Sequence, residues 1–259
     1  MTATIGNEHK VEPEAQAARH DTPLRAAFLA DWLDMLFIHF RVAPHLLCPA
    51  VPLELDLYDG CAYVTLAAFT QARLRPTFGG RVTEILGAPL ARHGFLNVRT
   101  YVRCGNDRGI YFLREWIPNR LAVLLGPMLY GLPYHLGTIH YHTNAAAGVT
   151  TRHMHAKAAR WDCRARWTPT AICYAGQTGS QEHFLMERYT AFTLRQGRLR
   201  RFRIAHAPWP LVEVQADMKC DNLLAGVRLP AHCAAYYSTG VHDVRIGRPE
   251  EAVDWLSGV

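Results

Sequence analysis

The sequence predicts an α+β protein, mostly antiparallel β, closing as a barrel or cone with one main interior helix. Three observations predict it. Extended runs dominate from residue 35 onward, apolar residues recur at helical intervals across 120–131, and strands and helices never alternate as a doubly wound parallel sheet requires.

Length and composition bound the rest. The 259 residues allow a substantial core, and 49 % hydrophobic with 19 % charged residues reads as globular. A polar leader at 1–21, with no apolar period, is expected to be disordered, followed by a single domain over 22–259. The net charge is +6, carried almost wholly by arginines, since Lys10, Lys157 and Lys219 are the only lysines. Those arginines are scattered over strand-like runs without a recognised motif, so nucleic acid is not an expected partner. Seven cysteines, an odd count with no C-x-x-C, predict neither a disulfide framework nor a thiolate zinc site. There is no secretory h-region and no long uncharged apolar run, which predicts no membrane partner and a cytoplasmic location.

Along the chain, Thr22-Pro23 reads as a short helix start, with Leu24, Phe28 and Trp32 near helical spacing. MLFIHFRV (35–42) suits a strand buried on both faces, and HLLCPAVP reads as one or two helical turns. LELDLYDG and CAYVTLAAF read as a hairpin joined at Asp59-Gly60. The many Gly and Pro residues between Arg73 and Gly94 predict a loop able to cover a site. FLNVRTYVRCG and GIYFLREWI form a second hairpin across Asn106-Asp107. RLAVLLGPMLYG is the interior helix, stopped by Gly131 with Pro133 beyond, and the remainder, including EHFLMERYTAFTL, is expected to be mostly extended.

WLDMLFIHFRVAPHLL, LELDLYDGCAYVTL, FLNVRTYV, GLPYHLG, FLMERYTAFT with RLRRFRIAHAPWPL, and AYYSTGV occur in order across roughly 28–248. Together they resemble the uncharacterised bacterial YqjF-like family, which is similar to acetoacetate decarboxylase. That resemblance implies a β-cone around a deep, mostly apolar cavity. In acetoacetate decarboxylase the helix resembling 120–131 is followed by a Schiff-base lysine. The matching positions here are Tyr134 and His135, neither of which is a primary amine, and Thr65 stands where the decarboxylase carries a strand glutamate.

The candidate site residues follow. Strand alternation puts Asn97, Arg99, Tyr101 and Arg103 on one face. If that face is outside, Arg99 is a structural ion-pair partner; if it lines a cavity, Arg99 is a carboxylate clamp beside Asn97, Thr65 and the Tyr101 donor. Tyr134 and His135 point oppositely if extended, with Tyr134 preferred as the inward acid and His135 as a base if it turns in. Glu187 is either an acid or base of raised pKa or the partner of Arg99. His140, His142, His153 and His155 share one face of a hairpin in one register, close enough for a metal, and are otherwise exposed histidines. Lys157 is a conceivable relocated amine or a solvated residue, and Trp209, after His206, is read as a plug of the barrel end.

No nucleotide-binding, serine-hydrolase or zincin motif occurs. The sequence therefore predicts a small-molecule enzyme acting on a carbonyl or carboxylate metabolite by acid/base chemistry, without a Schiff-base lysine and with no cofactor. A non-catalytic small-ligand carrier and a histidine-ligated metal or haem protein are the alternatives, and a homo-oligomer is left open.

Overall fold

In the computed structural model, which describes residues 24–146, 149–158, 161–174, 179–220, 223, 224, 227 and 229–252, the chain begins with the 17-residue strand β1 (Ala26–Val42). The helix predicted near Trp32 is therefore replaced by strand. The four-residue step from Phe28 to Trp32 keeps one face in a strand as well as in a helix, so it does not discriminate. Pairing decides: β1 is bonded on one side to β3 (Ala62–Pro76) and on the other to β13 (Ala234–Gly247).

After β1 come the predicted helical turns, α1 (Pro44–Leu47) and a 3-10 turn, and then β2 (Glu54–Leu55). The Asp59-Gly60 turn forms under a Tyr58–Cys61 bridge, with both residues at positive φ. The strand before it is short, however, and β2 pairs with β4 (His93–Cys104) instead of β3. The predicted loop between β3 and β4 contains α2 (Gly80–Gly87). The second hairpin joins β4 to β5 (Asp107–Ile117) at Gly105-Asn106, one residue earlier than predicted.

The interior helix is α3 (Arg120–Tyr130), as predicted. The Asn119 side chain accepts from the Ala122 N–H at its start, and Gly131 ends it at φ 71°. EHFLMERYTAFTL corrects the expectation of a continuous strand: it splits into α4 (Gln181–Met186), capped by Ser180, and β10 (Thr190–Arg195). Ser180 with Glu182 in the first turn was a legible helix start.

The described residues hold one fourteen-stranded sheet. β6 (Tyr134–Leu136) runs parallel to β5, and β10 pairs with β5 in parallel as well, so the sheet is antiparallel apart from these short contacts. β11 (Arg198–Ala205) pairs with β10 and also with β13, which closes the path β11-β10-β5-β4-β3-β1-β13 on itself. β14 (Glu250–Glu251) edges β11.

Beyond β13, the strands β12 (Leu211–Cys220), β9 (Trp161–Tyr174), β8 (Val149–Ala158) and β7 (Thr138–Ala146) extend the sheet. They return over the outside of β1, β3 and β4: Met154, Trp161 and Trp167 pack with Ile38, Leu66 and Leu96 in one apolar cluster. The alternate residues Phe37, Phe69 and Phe95 belong to a second cluster inside the closed path. These strands are thus buried on both faces, which explains the unbroken apolar run at 35–42.

Cys163 and Cys220 face each other in the β9–β12 ladder and form a disulfide, against the expectation from the cysteine count. They lie 57 residues apart, so strand pairing and not spacing brings them together. No described helix is long and apolar enough to cross a membrane.

Candidate functional site

The path closed by β11 and β13 encloses a cavity of about 290 Å³, near the lower end of ordinary ligand sites. Most of its wall is apolar. The polar exceptions come from strand register. On β4 the inward positions are His93, Phe95, Asn97 and Arg99; Asn97 lies opposite Glu115 of β5, and Glu115 lies opposite Tyr134 of β6. The outer face of β4 is covered by a second layer, and Asn97 and Arg99 line the cavity.

Glu115 was not foreseen. A register shift between Val98 and Arg99 sets Val98 against Arg114 but Arg99 against Phe112, so β5 carries one extra residue. The phase slips across it, and Ile110, Phe112 and Glu115 all reach the cavity. Simple alternation from Ile110 and Phe112 would have sent Glu115 outward.

The electrostatics are unusual for a buried cluster. Among the described residues, Arg99 Nε and Glu115 Oε2 have no hydrogen-bond partner, and neither do Asn97 Oδ1 or the two ring nitrogens of His93. Burial pushes the Glu115 carboxyl well above the usual carboxylate range, against the pull of Arg99, which favours its protonated, donor form. Burial, then Glu115 and Tyr130, raise the Tyr134 phenol well above its ordinary value. Burial lowers His93 to about 4, which keeps the imidazole uncharged. Arg99 is the exception: burial lowers its pKa too, but a guanidinium stays protonated.

Tyr134 is held by α3. Its ring packs on Gly126, where a Cβ would overlap it, and meets Phe95 edge-on at 5.7 Å. Gly126→Ala sets two effects against each other: better helix propensity, worth up to about 1 kcal/mol, and a displaced aromatic ring. Displacement is expected to win, because Tyr134 has Phe95 and Glu115 behind it, and the denaturant midpoint should fall. A raised midpoint would show that the ring has room to yield.

The remaining sequence candidates lie off the cavity. His135 is exposed, with its ring near Trp116, as expected if Tyr134 points inward. Glu187 ends α4 and accepts the Tyr189 hydroxyl; the buried carboxylate beside Arg99 is Glu115. Thr65 and Tyr101 lie one layer behind. Thr65 Oγ1 bonds His39 Nδ1 at 2.8 Å and the Tyr101 hydroxyl at 2.6 Å, and that hydroxyl donates to Leu185 O at 2.9 Å. Burial raises the Tyr101 phenol while Arg99 draws it down. Beside them is a buried ion pair, Arg188 to Asp56 at 2.7 Å, with Arg103 on the same carboxylate at 2.8 Å; Arg188 also lines the cavity.

The histidine pairs adopt the register that brings them together, His140 opposite His155 and His142 opposite His153. They stand on the outer sheet, where His155 bonds Asp162 at 3.1 Å, and no group of three or more metal-ligating side chains forms among the described residues. Lys157 is exposed. Trp209 is buried, stacked on Trp32 at 6.2 Å against the cavity.

Two imidazoles give a pH signature. Burial, then the charge of Arg99, lowers His39 to about 3, and His93 stands at about 4. Below an unfolded value near 6.5 the unfolded chain takes up protons that the folded chain refuses. Their contribution is therefore complete above pH 6.5 and lost as pH falls toward 4 and 3. Glu115, raised, has the opposite sign: its contribution is full below its unfolded value and is lost as pH rises. His93→Leu should flatten the acid-side loss of stability by up to about 1.4 kcal/mol per pH unit. Denaturant melts between pH 6.5 and 4.5 check it, and parallel profiles for the two proteins would refute it.

A model of the DUF2071 family, described as an uncharacterized conserved protein, matches residues 29–242. The chain belongs to DUF2071. This DUF2071 protein is 30 % identical over 204 residues to uncharacterized protein YqjF of Bacillus subtilis (strain 168), covering 77 % of this chain and 81 % of that one. Its fold is similar to three solved structures. One is an acetoacetate decarboxylase-like enzyme from Sphingomonas wittichii RW1, with TM-score 0.61, 18 % identity, and 95 % and 99 % of the two chains covered. Another is the enduracididine biosynthesis enzyme MppR complexed with the condensation product of pyruvate and imidazole 4-carboxaldehyde, with TM-score 0.64, 14 % identity, and 98 % and 99 % covered. The third is acetoacetate decarboxylase from Legionella pneumophila, with TM-score 0.60, 11 % identity, and 99 % and 100 % covered. At these identities the likeness establishes that this chain has the acetoacetate decarboxylase-like fold, as the sequence resemblance implied; chemistry is a separate question.

Proposed function

We propose that this protein is a small-molecule enzyme that binds a carboxylate-bearing carbonyl metabolite in the barrel cavity and enolises it by acid/base chemistry without an imine. One observation carries the reading. Arg99 and Glu115 face the same apolar cavity, each with a polar atom that has no partner among the described residues. A buried guanidinium is costly unless an anion completes it, and a substrate carboxylate is such an anion.

With the carboxylate at Arg99, the neighbouring carbonyl oxygen meets the Glu115 carboxyl and the Tyr134 phenol, both of which burial drives toward their protonated forms. These donors stabilise negative charge as it develops on that oxygen. The C–H pair moves into the new C=C bond, the carbonyl pair moves onto oxygen, and oxygen takes the Glu115 proton. The α-proton leaves to water. The Glu115 carboxylate so formed is stabilised by Arg99 and recovers its proton on reversal.

An imine has no support, because Lys157 and Lys219 are exposed and no described lysine lines the cavity. Decarboxylation is also disfavoured, since Arg99 stabilises the carboxylate charge that the reaction must disperse.

The test is proton NMR of 2-oxo and 3-oxo acids in heavy water with the protein, alongside borohydride treatment and mass spectrometry. Catalysed α-proton exchange without a covalent adduct is expected. Adduct formation on a lysine overturns the imine-free route, and saturable binding without exchange makes the protein a carrier.

A further inference from the structure

The register of the cavity wall repeats in levels, and a second polar level stands away from Arg99. Trp32 of β1 lies opposite Gln71 of β3, which lies opposite His93 of β4, and all three line the cavity. His93 is only 8 % exposed, and neither of its ring nitrogens has a hydrogen-bond partner among the described residues; the Trp32 indole N–H has none either. Between this row and the Asn97–Glu115–Tyr134 row lies one apolar level. Phe69 and Phe95 face each other there in the β3–β4 ladder, rings stacked at 5.0 Å and 3° apart. Arg99 starts two residues beyond Asn97, but its guanidinium lies 5.5 Å from the ring of Phe37, which shares the Asn97 row. That row and the His93 row are four residues apart along β4, roughly 13 Å.

We infer that the substrate is a two-ended oxo acid: a carboxylate head at Arg99, a flat apolar body along Phe69 and Phe95, and an uncharged hydrogen-bonding group at the far end, bound by Trp32, Gln71 and His93. The far group is neutral because this level offers no charge to balance an ion; the imidazole is uncharged at neutral pH. It carries both donor and acceptor character, as a phenol or a ring N–H heterocycle does, since the indole only donates and a neutral imidazole has one nitrogen of each kind. A short aliphatic oxo acid leaves this level unoccupied. The inference rests on the proposed function for the head of the substrate and adds the class of its tail.

Calorimetric titration of the full chain with pyruvate, phenylpyruvate and 4-hydroxyphenylpyruvate tests it. The hydroxyphenyl acid is expected to bind roughly three- to tenfold more tightly than the phenyl acid, the range of one net hydrogen bond, and pyruvate most weakly. His93→Leu should bring the hydroxyphenyl acid down to the phenyl acid's affinity while leaving the latter within about twofold. Should His93→Leu fail to fold, Trp32→Phe removes one indole donor and reads the same difference. Equal affinity of the two aryl acids for the parent protein, or equal weakening of both by the variant, overturns the second level while leaving the Arg99 reading standing. If none of the three acids binds, or binding is indifferent to Arg99→Met, the proposed function fails and this inference with it.

Discussion

Asp56→Asn is expected to lower stability by about 3–5 kcal/mol, the usual result of stripping one partner from a buried ion pair. The Asp56 carboxylate is fully buried and the Arg188 side chain is 2 % exposed, with 2.7 Å between them. Arg103 lies at 2.8 Å and Arg108 at 3.7 Å, so the neutral amide leaves three guanidinium groups sharing no carboxylate. Arg188 is tied into the interior: its Nε donates to Phe184 O at 2.7 Å, and its guanidinium lies over the Phe184 ring at 4.3 Å. A loss of this size is a large share of the roughly 5–15 kcal/mol that holds a typical domain together. The denaturant midpoint should fall sharply at constant slope. Removing both partners, as Asp56→Leu with Arg188→Met, should cost far less than the sum of the single changes, because the fully buried guanidinium leaves with its carboxylate while Arg103 and Arg108, 32 % and 28 % exposed, keep access to water. Additive losses would refute the ion-pair account.

Arg99→Met is expected to do the reverse. Arg99 and Arg188 both reach the same cavity, but Arg188 has Asp56, while Arg99 Nε has no partner among the described residues and burial drives the nearby Glu115 toward its uncharged form. Removing Arg99 relieves an incompletely compensated buried cation, so stability should hold or rise. It also removes a push that helps hold His39 uncharged. Binding should suffer instead. A hydrogen bond to a charged group is worth about 1.5–3 kcal/mol, so affinity for any oxo acid should fall roughly ten- to hundredfold. Titration calorimetry with a denaturant melt on the same sample reads both quantities. Collapse of stability, or unchanged affinity, would mean that Arg99 serves the scaffold. Side by side, the two variants separate a guanidinium that holds the barrel together from one that waits for a ligand.

Much of the site was legible because period-two alternation survives along β4: Asn97 and Arg99 were placed together on the residue pattern alone, while alternation after Pro133 set Tyr134 and His135 on opposite sides and the resemblance to acetoacetate decarboxylase favoured Tyr134. Glu115 was illegible because a one-residue bulge in β5 reversed its face, and a bulge leaves no reliable mark in the pattern of apolar residues. Glu187, the carboxylate that did look inward, sat in a segment read as extended that begins as α4. Asp56 and Arg188 escaped notice for another reason: 132 residues separate them, and only the folded arrangement makes them neighbours.

What the sequence determined by itself was local and periodic: a strand-dominated chain, its interior helix from Arg120 to Gly131, two of its tight turns, and the absence of an amine after that helix. Tertiary structure alone decided which strand faces look at a cavity and which at a second layer, since both are apolar in β1, β3 and β4. It also decided which charges meet. The physical reason is that alternation records that a strand has two faces, while burial of each face depends on what long-range pairing lays against it, and the β11–β13 closure and the returning β7–β9 layer join segments far apart in the chain.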